Sequence, residues 1–168
     1  MIHTRILGID TSLRSTGVGI VESQGSKMIP VYYGVIKTKT GQPLSESLLQ
    51  LQEGLDSVIN EHQPQVVAVE GIFYARNVKT AMLLAHARGA LIALCAKKGL
   101  PVFEYEPRKV KMAVAGYGAA KKEQIQEMVK RLLALDEIPQ NDAADALALA
   151  ITHLHNGTSI RLNTIKPI

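Results

Sequence analysis

The sequence predicts an α/β fold: a five-stranded mixed sheet, three strands in an antiparallel meander and two parallel, with helices on both faces. Three observations predict it. In the first 38 residues, three short apolar segments follow one another across brief polar turns, the spacing of a meander. From Pro43 the apolar residues change to steps of three and four, the period of a helix laid on a core. Then comes VVAVE, an uninterrupted β-branched run ending at Glu70, as in a strand covered on both faces and reached by a crossover helix.

Taken in order, RILGID is the first strand and ends on Asp10. STGVGIVES follows after a polar turn, and MIPVYYGVIKT after Gly25-Ser26. Gly17 and Gly19 in the second strand admit close approach of another backbone or a ligand. Leu44, Leu48, Leu51, Leu55, Val58 and Ile59 mark one face of a helix from Pro43 to His62, and Pro64 stops it. A second long helix runs from Val78 to Lys98. Its Ala81, Ala85, Gly89 and Ala93 form a stripe of small residues that either packs on the sheet or meets another subunit; the sequence leaves both open. PVFEYEP is the fifth strand. Helices then cover Pro107–Ala115, Lys121–Leu135 and an Ala-rich segment from Asp142 to just before Gly157, with a Gly116-Tyr117-Gly118 turn between the first two. Residues 1–157 read as one domain and 158–168, which lack periodicity, as a flexible tail.

Of the 168 residues, 46% are hydrophobic but only 4% aromatic, with no Trp, so the core is aliphatic. The lone Cys95 excludes an internal disulfide and reads as a buried small hydrophobe in a reducing compartment. No stretch approaches the ~18 consecutive apolar residues of a membrane span. The opening MIHTRILGID lacks a signal-peptide core. The expectation is a soluble cytoplasmic protein with no membrane partner. A net charge of +4 leans mildly toward polyanions.

Most acids fall on polar faces or turns: Glu22, Glu46, Glu53, Asp56, Glu61, Glu123 and Glu127 read as solvated surface. Four do not. Asp10 and Glu70 each end a buried apolar strand, where an acid is costly unless paired, protonated or bound to a cation. Asp142 and Asp145 share one face of a helix otherwise built from Ala, Leu and Ile. Capping explains an Asp at position 142 but not one at 145. Two like charges on one face repel, and a divalent cation would offset that. Oxygen ligands without a cysteine cluster select Mg²⁺ or Mn²⁺ over zinc. Carboxylates shared by two such ions suit phosphoryl displacement. Arg14, Arg76, Lys79, Arg108, Lys109, Lys111, Lys121 and Lys122 are available to hold the polyanion.

The segments ILGIDTSLRSTGVGIV, VVAVEGIF and NDAADALALAITH, in that order and at these separations, closely resemble the RuvC family of bacterial Holliday junction resolvases, which have a ribonuclease H-like fold. RKVKMAVAGYGAAKKEQIQEMV between the last two also looks like the family, and the likeness runs from about residue 4 to 157. The resemblance implies a ribonuclease H-like nuclease domain in which Asp10, Glu70, Asp142 and Asp145 hold two Mg²⁺ ions per subunit, with Mn²⁺ substituting. It implies that Phe73 stacks on junction bases and that Lys111 and Lys122 reach the backbone near the scissile phosphate, Lys122 as part of the catalytic set. Arg14, Arg76, Lys79 and Lys121 are further candidate DNA contacts. It also implies a homodimer through the helix with the small-residue stripe, and partnership with the RuvA–RuvB branch-migration complex. The activity implied is paired symmetric nicking of four-way junction DNA by metal-assisted hydrolysis, in recombination and repair. Thr11-Ser12 departs from the family's common Pro or small residue followed by Gly, which should alter the turn but not activity. A hybrid-cutting ribonuclease of the same fold would not need the Phe73 loop or the dimer helix. A kinase-like ATPase with a similar strand–Asp opening would need a second domain.

Overall fold

The computed structural model describes residues 3–71, 77–157 and 166–168. Strands β1 (Thr4–Asp10), β2 (Ser15–Gln24) and β3 (Lys27–Lys37) form the antiparallel meander. Helix α1 (Leu44–His62) crosses to β4 (Val66–Glu70), which pairs parallel to β1. Helix α2 (Val78–Lys97) crosses to β5 (Val102–Tyr105), parallel to β4. Helices α3 (Pro107–Ala115), α4 (Lys122–Leu132) and α5 (Asn141–Gly157) complete the chain. The sheet order is β3-β2-β1-β4-β5, so the two strands that end in acids lie side by side at its centre.

Strand alternation divides the core between two faces. Leu7, Ile9, Val67 and Val69 point to one side and pack with Leu51 and Leu55 of α1 and Ala87, Leu91 and Cys95 of α2. Ile6 and Ala68 point to the other, against α3, α4 and α5. Burying each Leu or Ile contributes about 1.5–3 kcal/mol, so both faces are firmly held.

Helix α5 lies unusually close to the sheet, and glycine makes that possible. A Cβ on Gly8 would sit 1.8 Å from the Ala146 carbonyl oxygen, and one on Gly17 would sit 1.9 Å from that of Asp142. Gly19, paired opposite Gly8, faces Leu147. The close approach expected at Gly17 and Gly19 is thus made by the backbone and side chains of α5. From Ala143 to Ile151 only Asp145 escapes full burial.

Four expectations are refined. Helix α4 ends at Leu132 rather than Leu135, because Ala134 turns left-handed at φ 50° and breaks the helical run. Glu22 is not solvated surface: it is only 12% exposed and pairs with Arg5 at 2.7 Å. Asp56 pairs with Lys98 at 2.6 Å. The small-residue stripe of α2 does not pack on the sheet: Ala85, Gly89 and Ala93 are exposed, while Ala87, Leu91, Leu94 and Cys95 turn inward. By length and composition α2 could cross a membrane (mean hydropathy 1.4), although His86 and Arg88 interrupt its apolar run. Of the expected tail, the Ile168 N–H donates to the Val102 carbonyl at 2.9 Å, and residues 158–165 lie outside the described residues.

Candidate active site

Asp10 and Glu70 come together through register and parity. Ile9 pairs with Val69 in the parallel ladder, so the next residue on each strand ends it at the same level. Asp10 has the parity of Ile6 and Gly8, and Glu70 that of Ala68, which turns both toward the α5 side. The glycine trough then lets the first turn of α5 settle over β1 and β2, with the Asp142 backbone directly against Gly17. Gly17 is itself paired opposite Asp10.

The result is a cleft of about 250 Å³ lined by Asp10, Glu70 and Asp145, with Lys111 and Lys122 on its basic side and Pro107, Val110, Ile125, Ala148 and Leu149 as its apolar wall. Asp142 stands beside it, close enough to act electrostatically on Asp10. Its carboxylate accepts a hydrogen bond from the Ser15 hydroxyl at 2.5 Å. Asp145 is bonded to the Lys122 ammonium at 2.9 Å. In these rotamers no three His, Cys, Asp or Glu side chains among the described residues surround a common point as ligands would. Asp142 and Asp145 are turned instead to their own partners.

The electrostatics are those of crowded negative charge. Burial pushes the Asp10 carboxyl up to about 7, and Asp145, Glu70 and Asp142 push it the same way, with Lys122 opposing. Glu70 stands at the exposed lip of the cleft, yet it too is raised, first by desolvation and then by Asp145, against the pull of Lys122 and Lys111. Lys122 is raised in turn, chiefly by its hydrogen bond to Asp145. Four carboxylates of hard oxygen donors face one bonded ammonium, so the donor set fits divalent Mg²⁺ or Mn²⁺.

The other expected contacts divide. Lys111 and Lys122 are in the cleft. Lys121 is not among the lining residues; it precedes Lys122 at the start of α4, where its N–H donates to the Gln124 side chain at 2.8 Å. Lys79 is exposed in the first turn of α2, away from the lining. Arg14 is exposed and spends its guanidinium on the Lys39 carbonyl at 2.7 Å, bracing the end of the meander rather than the cleft. Arg108 packs its side chain against Gly118 in the turn after α3. Phe73 and Arg76 lie outside the described residues.

Sequence reasoning missed three participants. Ser15 holds Asp142 and is an ordinary strand-start serine in the sequence. Gly8 seats α5; its signal was a glycine inside an apolar strand, two residues before Asp10 and at its parity. Arg88 reaches the backbone of Glu70; its signal was a lone guanidinium within an apolar helix.

Comparison with known proteins follows the same residues. The family described as "Crossover junction endodeoxyribonuclease RuvC" matches residues 6–153, a span that holds all four acids. The enzyme of that name from Desulfitobacterium hafniense is 48% identical over 152 residues, which cover 90% of this chain and 92% of that one. That from Caldanaerobacter subterraneus subsp. tengcongensis is 44% identical, over 93% and 95% of the two chains. Among solved structures, RuvC of T. thermophilus in complex with Holliday junction substrate superposes with a TM-score of 0.90 at 34% identity, over 98% of this chain and 99% of that one. The yeast mitochondrial Holliday junction resolvase shares the fold with a TM-score of 0.67 at 17% identity, over 90% of this chain and 78% of that one.

Proposed function

This chain belongs to the RuvC family of crossover junction endodeoxyribonucleases, and from that premise we propose how its own cleft carries out their reaction. The substrate is four-way junction DNA, cut by paired symmetric nicks that leave a 5′-phosphate and a 3′-hydroxyl. The carrying observation is the meeting of Asp10, Glu70 and Asp145 in one cleft with Asp142 beside it, where burial and then the neighbouring carboxylates lift the Asp10 carboxyl to about 7.

Nucleases of this family are metal-dependent in general. We assign two Mg²⁺ ions to Asp10, Glu70, Asp142 and Asp145, with Mn²⁺ as a substitute. The chemistry such a pair supplies is a lowered pKa for the attacking water and charge stabilisation at the leaving oxygen. The rest falls to the chain. Asp142 and Asp145 are one helical turn apart at the start of α5, and to join Asp10 as ligands they would give up their bonds to Ser15 and Lys122. The Lys122 ammonium, released from Asp145, is placed to hold a phosphate oxygen at the cleft mouth, with Lys111 on the same wall. The apolar wall of Val110, Ile125 and Leu149 limits water at the site. Phe73 and Arg76, a few residues beyond Glu70, are assigned to the junction bases and backbone, and Lys79, Lys121 and Arg14 to more distant backbone.

A two-fold substrate calls for a two-fold protein, and the exposed Ala85, Gly89 and Ala93 of α2 supply a face that a second copy can approach closely. We place the protein in the cytoplasm, with RuvA–RuvB as its partner there.

The test is a synthetic four-way junction in Mg²⁺, with wild type beside Asp10→Asn. Wild type nicks symmetrically; the variant binds the junction with unchanged affinity and loses nicking by about 10³-fold or more, the scale of removing a central electrostatic group. Intact junction after incubation with wild type in both Mg²⁺ and Mn²⁺ would overturn the reading.

A further inference from the structure

Arg88 sits on α2 with its side chain only 14% exposed. Its Nε–H donates to the backbone carbonyl of Glu70 at 3.3 Å, and its Nη2 pairs with the Glu104 carboxylate. Glu104 is on β5, next to Tyr105, the register partner of Glu70. The Tyr105 carbonyl in turn accepts the Gly71 N–H at 2.9 Å. The end of β4 is therefore gripped twice, by the β5 ladder and by a guanidinium reaching across from α2.

The grip has a consequence for the cleft. Glu70 is the last residue of β4, and the carboxylate direction of a strand-end residue follows the peptide that carries it. Arg88 does not touch the Glu70 carboxylate; it fixes the carbonyl of the same residue. A planar guanidinium can bond the carbonyl and the carboxylate at once, in a fixed fork that an ammonium lacks. Metal-ligating side chains need that kind of outer support to hold their aim.

We infer that Arg88, oriented by Glu104, is a positioning residue that sets the aim of Glu70 into the cleft. The inference rests on the four-carboxylate reading and adds a component to it. Because α2 turns its small-residue stripe outward and Arg88 inward, the same helix that offers a face to a second copy also braces a ligand of the active site.

The experiment compares wild type with Arg88→Gln, Arg88→Lys and Glu104→Gln. Each is measured by calorimetric titration of Mn²⁺ without DNA, by kcat and KM on a four-way junction in Mg²⁺, and by thermal melting. Arg88→Gln should weaken Mn²⁺ binding and lower kcat by about 10-fold or more, with KM for the junction held within about twofold. Arg88→Lys should recover part of the loss, and Glu104→Gln should shift both quantities the same way by less. Wild-type Mn²⁺ affinity and kcat in Arg88→Gln, or a change confined to KM, would overturn the inference. Should Arg88→Gln not fold, Glu104→Gln decides: unchanged Mn²⁺ affinity and kcat overturn it. Failure of wild type to nick is a failure of the nuclease reading, and the Mn²⁺ titration still judges Arg88 on its own.

Discussion

Helices α2 and α5 are both Ala-rich and apolar, lie on opposite faces of one sheet, and meet solvent in opposite ways. In α5, Ala143, Ala144 and Ala146 to Ile151 are all buried. In α2, only Ala87, Leu91, Leu94 and Cys95 are, and Ala85, Gly89 and Ala93 face out. The difference lies in what each helix rests on. Under α5 the strands present Gly8, Gly17 and Gly19, so helix backbone nearly touches strand backbone. Under α2 they present Val67, Val69 and Val102, and α1 shares that face. Close approach under α5 is thus a matter of small residues on both partners. For α5 the approaching surface is within the chain and carries two acids to a third; for α2 we assign it to a second copy.

The contrast predicts its own largest test. Gly8→Ala places a methyl 1.8 Å from the Ala146 carbonyl oxygen, a contact that only movement of α5 can relieve. It should destabilise the protein by about 3 kcal/mol or more, above the usual cost of overpacking because the obstacle is backbone. In a thermal melt that is a fall of about 6–12 °C. Nicking by the folded fraction should fall as well, since Asp142 and Asp145 ride on the displaced helix. A Gly8→Ala protein with wild-type melting and nicking would show that α5 tolerates a wider seat, and the contrast with α2 would lose its basis.

The parts of this architecture that follow from period-2 and period-3.6 patterning were legible in the sequence. The meander, both crossovers and the convergence of Asp10 with Glu70 need only strand parity and the placement of β4 beside β1. What was not legible depends on a partner distant in sequence. Gly8 gave no sign of its neighbour because Ala146 is far along the chain. Ser15 and Arg88 act on Asp142 and on the Glu70 carbonyl through bonds that exist only once the sheet and helices have packed. The end of α4 was missed because Ala134 takes a left-handed turn that its own side chain does not favour. The α2 stripe was ambiguous because a glycine–alanine ridge suits an internal and an external contact equally. For Phe73 and Arg76, outside the described residues, the sequence remains the source.

The Asp10 carboxyl is raised in the folded protein from 3.8 to about 7, so between those values the folded state holds a proton that the unfolded state has released. Stability therefore falls as pH rises through that window, and above it the full penalty of the buried charge is present. Asp10→Asn removes the penalty. In EDTA at pH 8 the variant should be more stable than wild type by on the order of 2 kcal/mol, and the gain should vanish near pH 4. Melts across pH measure it. A variant less stable than wild type at pH 8 would mean that Asp10 is satisfied in the fold and that the cleft is not a site of uncompensated charge.

The smallest effect belongs to the other helix. A Cβ on Gly89 meets nothing within 4 Å in the single chain. Gly89→Ala should therefore leave the fold intact and add about 0.5–1 kcal/mol through helix propensity. Gly89→Trp should be tolerated by the single chain just as well, because the residue faces outward. If a second copy seats on the Ala85–Gly89–Ala93 ridge, however, the indole holds the two backbones apart, and light scattering at low micromolar protein should show the dimer mass drop to that of one chain. The same variant should then nick only one strand of a junction per binding event. A Gly89→Trp protein that keeps a dimer mass would place the subunit contact elsewhere, and the exposed stripe of α2 would no longer be the counterpart of the trough beneath α5.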